Sequence, residues 1–496
     1  MSVIIPRWEW RMFGPTPRAA AAAFAALESD RIQESDEMYL LSPDATADTV
    51  KVRDELMDVK SLREVDDDGL ERWEPIFKAR FPLSAADARS TIAALRVEAA
   101  ITGEADLPLD EFLALVVPHG VRPVAVHKRR VRYVVGGCTS ELTDVTVDGL
   151  ATRTIAVEST DKAAVLAAVQ SLGLAGYRNT SYPRGLAAAI DGRPLRFAVI
   201  DVGTNSVKFH VGERQASGTW RRVVDRAEVT RLGENLHAGG DFDPAAVART
   251  MAAIDGMADE ARDLGVTAIA AVGTAGLRAA RDSQQAIAAI QAKTGVRIEV
   301  ISGEEEGRLA YLATTSALGE TTGDLVVFDS GGGSSQFTFG RPSEVERQFS
   351  VPVGAVRFTE QFGLDGAVSA EVVEAARTAI AAELSALDDA PKDAALVGMG
   401  GAVTNLAAVK HAMATYDPDV ISGTVIDRTE LDRQIERYRS VGAADRRSIV
   451  GLQAGRAEVI LAGACIVSVV MDKLGRESLT VSDRGLRHGL LLERFG

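Results

Sequence analysis

"LVVFDSGGGSSQF", residues 325–337, decides the fold. Its apolar run reads as a buried strand ending at Asp329. Gly331, Gly332 and Gly333, followed by Ser334 and Ser335, then form a tight turn whose backbone N–H groups suit an anion, phosphate above all. A second unit of this kind is "FAVIDVGTNS", residues 197–206, with Asp201 at the strand end and Gly203, Thr204, Asn205 and Ser206 in the turn. Two such units predict two related lobes facing one cleft. Carboxylates beside phosphate repel it unless a hard cation such as Mg²⁺ intervenes, which makes Asp201 and Asp329 candidate metal ligands. Taken singly, each Asp reads equally as the cap of its own turn.

From Phe197 onward, apolar strands alternate with long Ala-rich helices, the pattern of an α/β layered fold. Within it, "AVGTAGLRAA" is a strand-to-turn-to-helix junction carrying Arg278, and "EVISGEEEGRLAYL" opens a helix with Glu304, Glu305 and Glu306. Acids in a first helical turn complement the helix dipole. That accounts for two of the three, and a third, pointing back toward the cleft, is a candidate base for activating water.

The first 195 residues have a different texture. They hold Trp8, Trp10 and Trp73 of the chain's four tryptophans, and stretches such as "TVKVRDELMDVKSL" and "HKRRVRYVV" alternate in polarity, which predicts an antiparallel sheet with one polar face. Lys51 and Arg53, and then Lys128, Arg130 and Arg132, occupy alternate positions and so share a face. Inside a closed sheet they would attract a polyanion; on an open edge they would be ordinary solvated charge. "GLAAAIDGRP", residues 185–194, marks the boundary. The domains expected are 1–190, 196–322 and 323–496.

A chain of 496 residues suggests about three domains. The net charge of -15 argues against broad nucleic-acid binding, yet a locally cationic cleft can still hold an anion. Two cysteines far apart give no disulfide framework, and no signal peptide or membrane-length apolar run is present, so a cytoplasmic protein without membrane partners is expected. The six histidines show no ligand-like spacing.

Together, "DVGTNSVKF", "AVGTAGLRAA", "EVISGEEEGRLAYL", "FDSGGGSSQF", "GMGGAVTNLAA", "GLQAGRAEVILAGA" and "VSDRGLRHGLL" resemble the exopolyphosphatase and guanosine-pentaphosphate phosphohydrolase family. The resemblance implies a two-lobed fold of the actin, sugar-kinase and Hsp70-like (ribonuclease H-like) superfamily. It also implies phosphate-holding glycine loops, Asp201 and Asp329 on Mg²⁺, Glu306 as general base and Arg278 on phosphate charge. This chain departs from the pattern in having Gln336 where a glutamate ends the second loop, Lys208 for an arginine and Glu458 for an aspartate.

"EWRMF", "DEMYLL", "HKRRVRYVVGGCTSELTDVTVDG" and the segments around them resemble the CYTH, or triphosphate-tunnel, fold: an α+β antiparallel barrel. Arg11 joins the cationic set, but Arg7 stands where the first glutamate belongs, and the later acidic pair is reduced to Ala156 and Glu158. That favours a polyphosphate-binding module over an independent triphosphatase. The leading expectation is an exopolyphosphatase with a polyanion-capturing domain. Its rival is an attenuated or nonhydrolytic binding protein, because Gln336 cannot take up a proton as a carboxylate does. Inorganic polyphosphate and guanosine polyphosphate both stay open as substrates, and a homodimer, common among such folds, is undecided.

Overall fold

The computed structural model describes residues 6–43, 48–101, 103–204, 206–215, 217–234, 236, 240–318, 323–341, 344–392 and 394–496. Strands β1 (Arg7–Phe13), β2 (Arg31–Leu41), β3 (Asp48–Arg53), β4 (Leu56–Val65), β5 (Glu71–Arg80), β6 (Arg122–Val135), β7 (Cys138–Val147) and β8 (Leu150–Ser159) form a closed antiparallel barrel. Their order is β1-β5-β4-β3-β2-β6-β7-β8. The two-residue period dictates the interior. Along β6, Val124, Val126, Lys128 and Arg130 are buried in alternation, so one strand passes from apolar to cationic.

At the apolar end, Val124 and Val126 meet Tyr39, Leu41, Val145, Val147 and Leu186. Leu186 comes from helix Tyr182–Ile190, which thereby closes the barrel floor. Outward-facing Val50, Val52, Met57 and Val59 pack under helices Ala85–Leu95 and Leu109–Val116.

The remainder forms two α/β lobes. Lobe I has strands β9 (Leu195–Val202), β10 (Ser206–Arg214), β11 (Trp220–Val229), β12 (Ala268–Gly273) and β13 (Ile298–Val300), in the order β11-β10-β9-β12-β13. Lobe II has β14 (Leu325–Ser330), β15 (Ser335–Arg341), β16 (Glu344–Val351), β17 (Ala395–Met399), β18 (Val425–Asp427) and β19 (Ser478–Val481), in the order β16-β15-β14-β17-β19-β18. Each sheet pairs an antiparallel start with a parallel continuation. Among the described residues no helix is long and apolar enough to cross a membrane.

β9 is buried on both faces. Ala198, Ile200 and Val202 enter the lobe I core, while Phe197 and Val199 join Trp10, Met12, Ile155 and Val157 of the barrel and Leu490, Leu491 and Phe495 of helix Leu486–Phe495. Backbone bonds reinforce the joint: Arg178 N–H donates to Thr267 O and Ile269 N–H to Gly176 O, both at 2.9 Å. Phe197 and Phe495 stack with ring centres 4.7 Å apart. Barrel and lobe I therefore share one core. Phe495→Ala is expected to cost about 3–5 kcal/mol, and to lower the melting of barrel tryptophan ellipticity and of total helix signal together. Two separate transitions would contradict the shared core.

Candidate functional site

In open α/β sheets, ligands sit beyond the carboxyl ends of the strands. Here those ends carry Asp201 and Asp329, the Thr274-to-Arg278 turn, and Gly400 with Gly401. The two lobes repeat one hairpin. Asp201 on β9 lies opposite Lys208 on β10, and Asp329 on β14 lies opposite Gln336 on β15. Directly opposed residues share a sheet face, so each Asp has its cross-strand neighbour beside it. The turns close alike: Gly203 N–H donates to Ser206 O at 3.0 Å and Gly331 N–H to Ser334 O at 2.9 Å.

The two hairpins differ in charge. Lys208 Nζ donates to Asp201 at 3.0 Å, and that carboxylate raises the Lys208 pKa. Opposite Asp329 stands only an amide. Burial raises the Asp329 pKa, with Lys208 and Arg456 opposing and Asp201 reinforcing the shift. Gly400, at φ +89°, is required here because a Cβ would collide with Asp329 Oδ1. Gly401 similarly admits the Arg456 guanidinium. Arg456, which sequence reasoning missed, is held through its segment: Gln453 N–H donates to Asn405 Oδ1 at 2.8 Å.

Helix Gly303–Leu318 separates the roles of its three acids. Glu304 is exposed, and Glu305 is forked by Arg308 at 2.7 and 2.8 Å. Glu306 is half-buried, with Arg278 Nη2 at 3.2 Å, while Arg278 Nη1 is fixed on Ile301 O at 2.7 Å. Burial raises the Glu306 pKa; Arg278 opposes this, and Asp201 and Asp329 add to it. Asp201 thus adds to the shifts of both Asp329 and Glu306, and Asp329 to that of Glu306. Of the remaining sequence candidates, Asn205 lies outside the described residues, and the Ser335 hydroxyl is turned inward, donating to Val353 O at 2.7 Å. Thr204 and Gly333 are exposed in the turns, and Gly332 and Ser334 are partly exposed.

The donor set fits Mg²⁺, which takes one or two hard carboxylates and completes its shell with water and phosphate. Asp329 has no ion pair among the described residues, and Asp201 keeps one oxygen free of Lys208. A different trio, His210, Asp225 and His488, has metal-like spacing, with the imidazole nitrogens 3.6 and 3.5 Å from Asp225 Oδ2. Its chemistry does not suit a metal. Gly485 N–H donates to His488 Nδ1, which leaves the proton on Nε2, and Arg487 forks both Asp225 oxygens at 2.8 and 3.1 Å. Burial lowers the His488 pKa to about 3, so the ring is neutral. The network anchors Arg487 within electrostatic reach of Asp201 and Lys208.

Comparison with known proteins identifies this arrangement: residues 211–495 match the model of the Ppx/GppA phosphatase family. The chain belongs to that family. Exopolyphosphatase 2 of Mycobacterium tuberculosis is 31% identical over 316 residues, covering 61% of this chain and 99% of the relative. Exopolyphosphatase 1 of Mycobacterium bovis is 28% identical over 61% of this chain and 88% of its own length. The crystal structure of the Ppx/GppA phosphatase from Aquifex aeolicus, 28% identical, aligns with TM-score 0.56 over 61% of this chain and all of that one.

The barrel precedes the Ppx/GppA match and encloses its own cavity of about 220 Å³. Arg11, Lys51, Arg53, Lys128, Arg130 and Arg132, all singled out from the sequence, line it, and Lys60 and Lys78 join them. Sequence reasoning missed the group that organises these cations. Glu37, fully buried, accepts from Lys51 at 3.0 Å and Lys128 at 2.9 Å, is hydrogen-bonded by Arg130 and lies 3.6 Å from Arg53. Tyr182 completes the floor, with Lys128 Nζ 3.7 Å and the Arg11 guanidinium 4.3 Å from its ring centre. The period-two spacing of Glu37 from Tyr39 was its one sequence signal.

Burial would raise the Glu37 pKa, but Lys128, Lys51 and Arg130 drive it far below 4.5. The stability it lends is full above its ordinary value and is lost as pH falls toward the depressed one. Glu37→Gln is expected to destabilise the chain at neutral pH by about 3–5 kcal/mol, because it leaves buried cations unpaired. Urea titrations should show this gap narrowing as pH falls below 4.5; equal stability at neutral pH would contradict it.

Proposed function

We propose that the chain is an exopolyphosphatase-type hydrolase that releases terminal phosphate from inorganic polyphosphate with Mg²⁺, the barrel capturing the polyanion. Glu306 carries the reading: a half-buried carboxylate with raised proton affinity, oriented by Arg278 and facing two strand-end aspartates. Such a group suits general-base work near neutral pH better than an ordinary carboxylate. In the reaction, a water oxygen attacks the terminal phosphorus and Glu306 takes a proton from that water. The bond from phosphorus to the bridging oxygen breaks, so the shortened chain keeps that oxygen and orthophosphate leaves. Arg278 and Lys208 offset charge on the transferred group. Mg²⁺ held by Asp201 and Asp329 would neutralise phosphate oxygens.

The relatives named exopolyphosphatase support polyphosphate as substrate. Guanosine pentaphosphate ends in the same phosphoanhydride and would meet the same groups. The pairing of Asp329 with Gln336 favours a second reading, a phosphate-chain-binding regulatory protein with little or no turnover.

With polyphosphate and Mg²⁺, wild type is expected to release phosphate, and Glu306→Gln to be slower by about 10²–10⁴-fold. No release from either form would overturn the hydrolase. The rate requires deprotonated Glu306, so it should fall as pH drops through a value above 4.5. Gln336→Glu separates the two readings: a large gain in turnover marks an attenuated hydrolase, and tight binding without turnover in both forms marks the regulator.

A further inference from the structure

We infer that the barrel grips its phosphate chain with organic cations alone, without a divalent metal. This deepens the capture role proposed above and rests on it. The decisive geometry is at the open end, where β1 meets β8. Their register sets Glu9 directly opposite Glu158, two carboxylates on one face of adjacent strands. Such a pair repels itself and would ordinarily invite a metal.

Here arginines two residues to either side of Glu9 on the same strand take that place. Arg11 Nε donates to Glu9 at 2.9 Å, and Arg7 Nη1 to Glu158 at 3.0 Å. Against Arg11 on β8 stands Ala156, so β8 supplies no second carboxylate there, and Glu141, opposite Ala156 on β7, is itself paired with Arg132. The pattern holds elsewhere around the cavity. Asp58 carries Lys78 at 3.4 Å, Glu141 carries Arg132 at 3.1 Å, and Glu37 carries its own cluster. Glu37 apart, each of these carboxylates keeps a second oxygen outside its pair, but a divalent ion there would sit against a guanidinium or ammonium at every position, whereas in the cleft Asp329 has no ion pair among the described residues.

Surplus positive charge remains for a ligand. Lys60 lines the cavity without an ion pair among the described residues, and Lys51 and Arg53 share Glu37 with two more deeply buried cations. The Ser181 hydroxyl, only 3% exposed, also lines the cavity and lacks a hydrogen-bond partner. A buried hydroxyl without a partner marks a place where a ligand or water completes the structure. The chemistry that fits is a linear chain of phosphates, polyanionic and rich in acceptor oxygens. Because the contacts are ionic, affinity falls steeply with salt.

The test uses full-length protein carrying Glu306→Gln to suppress turnover and Trp220→Phe to confine tryptophan emission to the barrel, where Trp73 lines the cavity. Tripolyphosphate is titrated in excess EDTA and again in excess Mg²⁺. Saturable quenching in EDTA at least as tight as in Mg²⁺ is expected, weakened at least tenfold by Lys60→Gln together with Lys78→Gln. Arg7→Glu, at an exposed position, should reverse the preference, binding weakly in EDTA and at least tenfold tighter in Mg²⁺. Wild-type binding only in Mg²⁺ would overturn the inference and leave capture standing. No emission change in either medium, with calorimetry showing binding at the cleft alone, would overturn capture itself.

Discussion

Strand β9 must be buried on both faces, and the rest of the molecule is arranged around that constraint. A strand with an unbroken apolar run, here Phe197 to Ile200, needs a layer on each side. One layer is the lobe I core, built around helix Pro244–Asp263. The other is assembled from distant pieces, the barrel wall and helix Leu486–Phe495. Because β9 is held so firmly, its carboxyl end is a fixed point from which Asp201 is presented. The paired strands β10 and β12 then aim Lys208 and the Arg278 turn at the same cleft.

The molecule handles internal charge in two opposite ways. In the barrel, each carboxylate that lines the cavity is matched by a cation within ion-pair distance, and the excess is positive. In the cleft, burial raises the proton affinities of Asp329 and Glu306, with Asp201 adding to both. The first arrangement suits holding an anion; the second keeps carboxylates available for protons and hard cations. An overall charge of -15 conceals both, since what a charged ligand meets is the local field.

Local signals were legible in the sequence and long-range ones were not. A strand ending in Asp and running into glycines is a contiguous pattern, so both glycine turns could be read directly, as could the alternation that turned Lys128, Arg130 and Arg132 inward. Gln336 stood out as a departure, but only the β14–β15 register puts it beside Asp329. Glu37 resembled any acid on an alternating strand, because its four cations come from β3 and β6. Arg456, Arg487 and the His210–His488 pair gain their meaning from contacts between segments far apart in the chain. No periodicity encodes such proximity.

The shared joint at Phe197 and Phe495 also bears on how the protein is made. On the ribosome, the barrel strands and β9 emerge early, yet the face of β9 carrying Phe197 and Val199 has only the barrel's share of its cover until helix Leu486–Phe495 has been synthesised. Through most of translation, then, the nascent chain carries an apolar strand with one side only partly covered, and lobe I can only finish after lobe II has been made. An unfinished chain of this kind is a natural client for chaperones that shield apolar surface. Shortening the last helix would prolong that exposure without touching a single residue in the cleft.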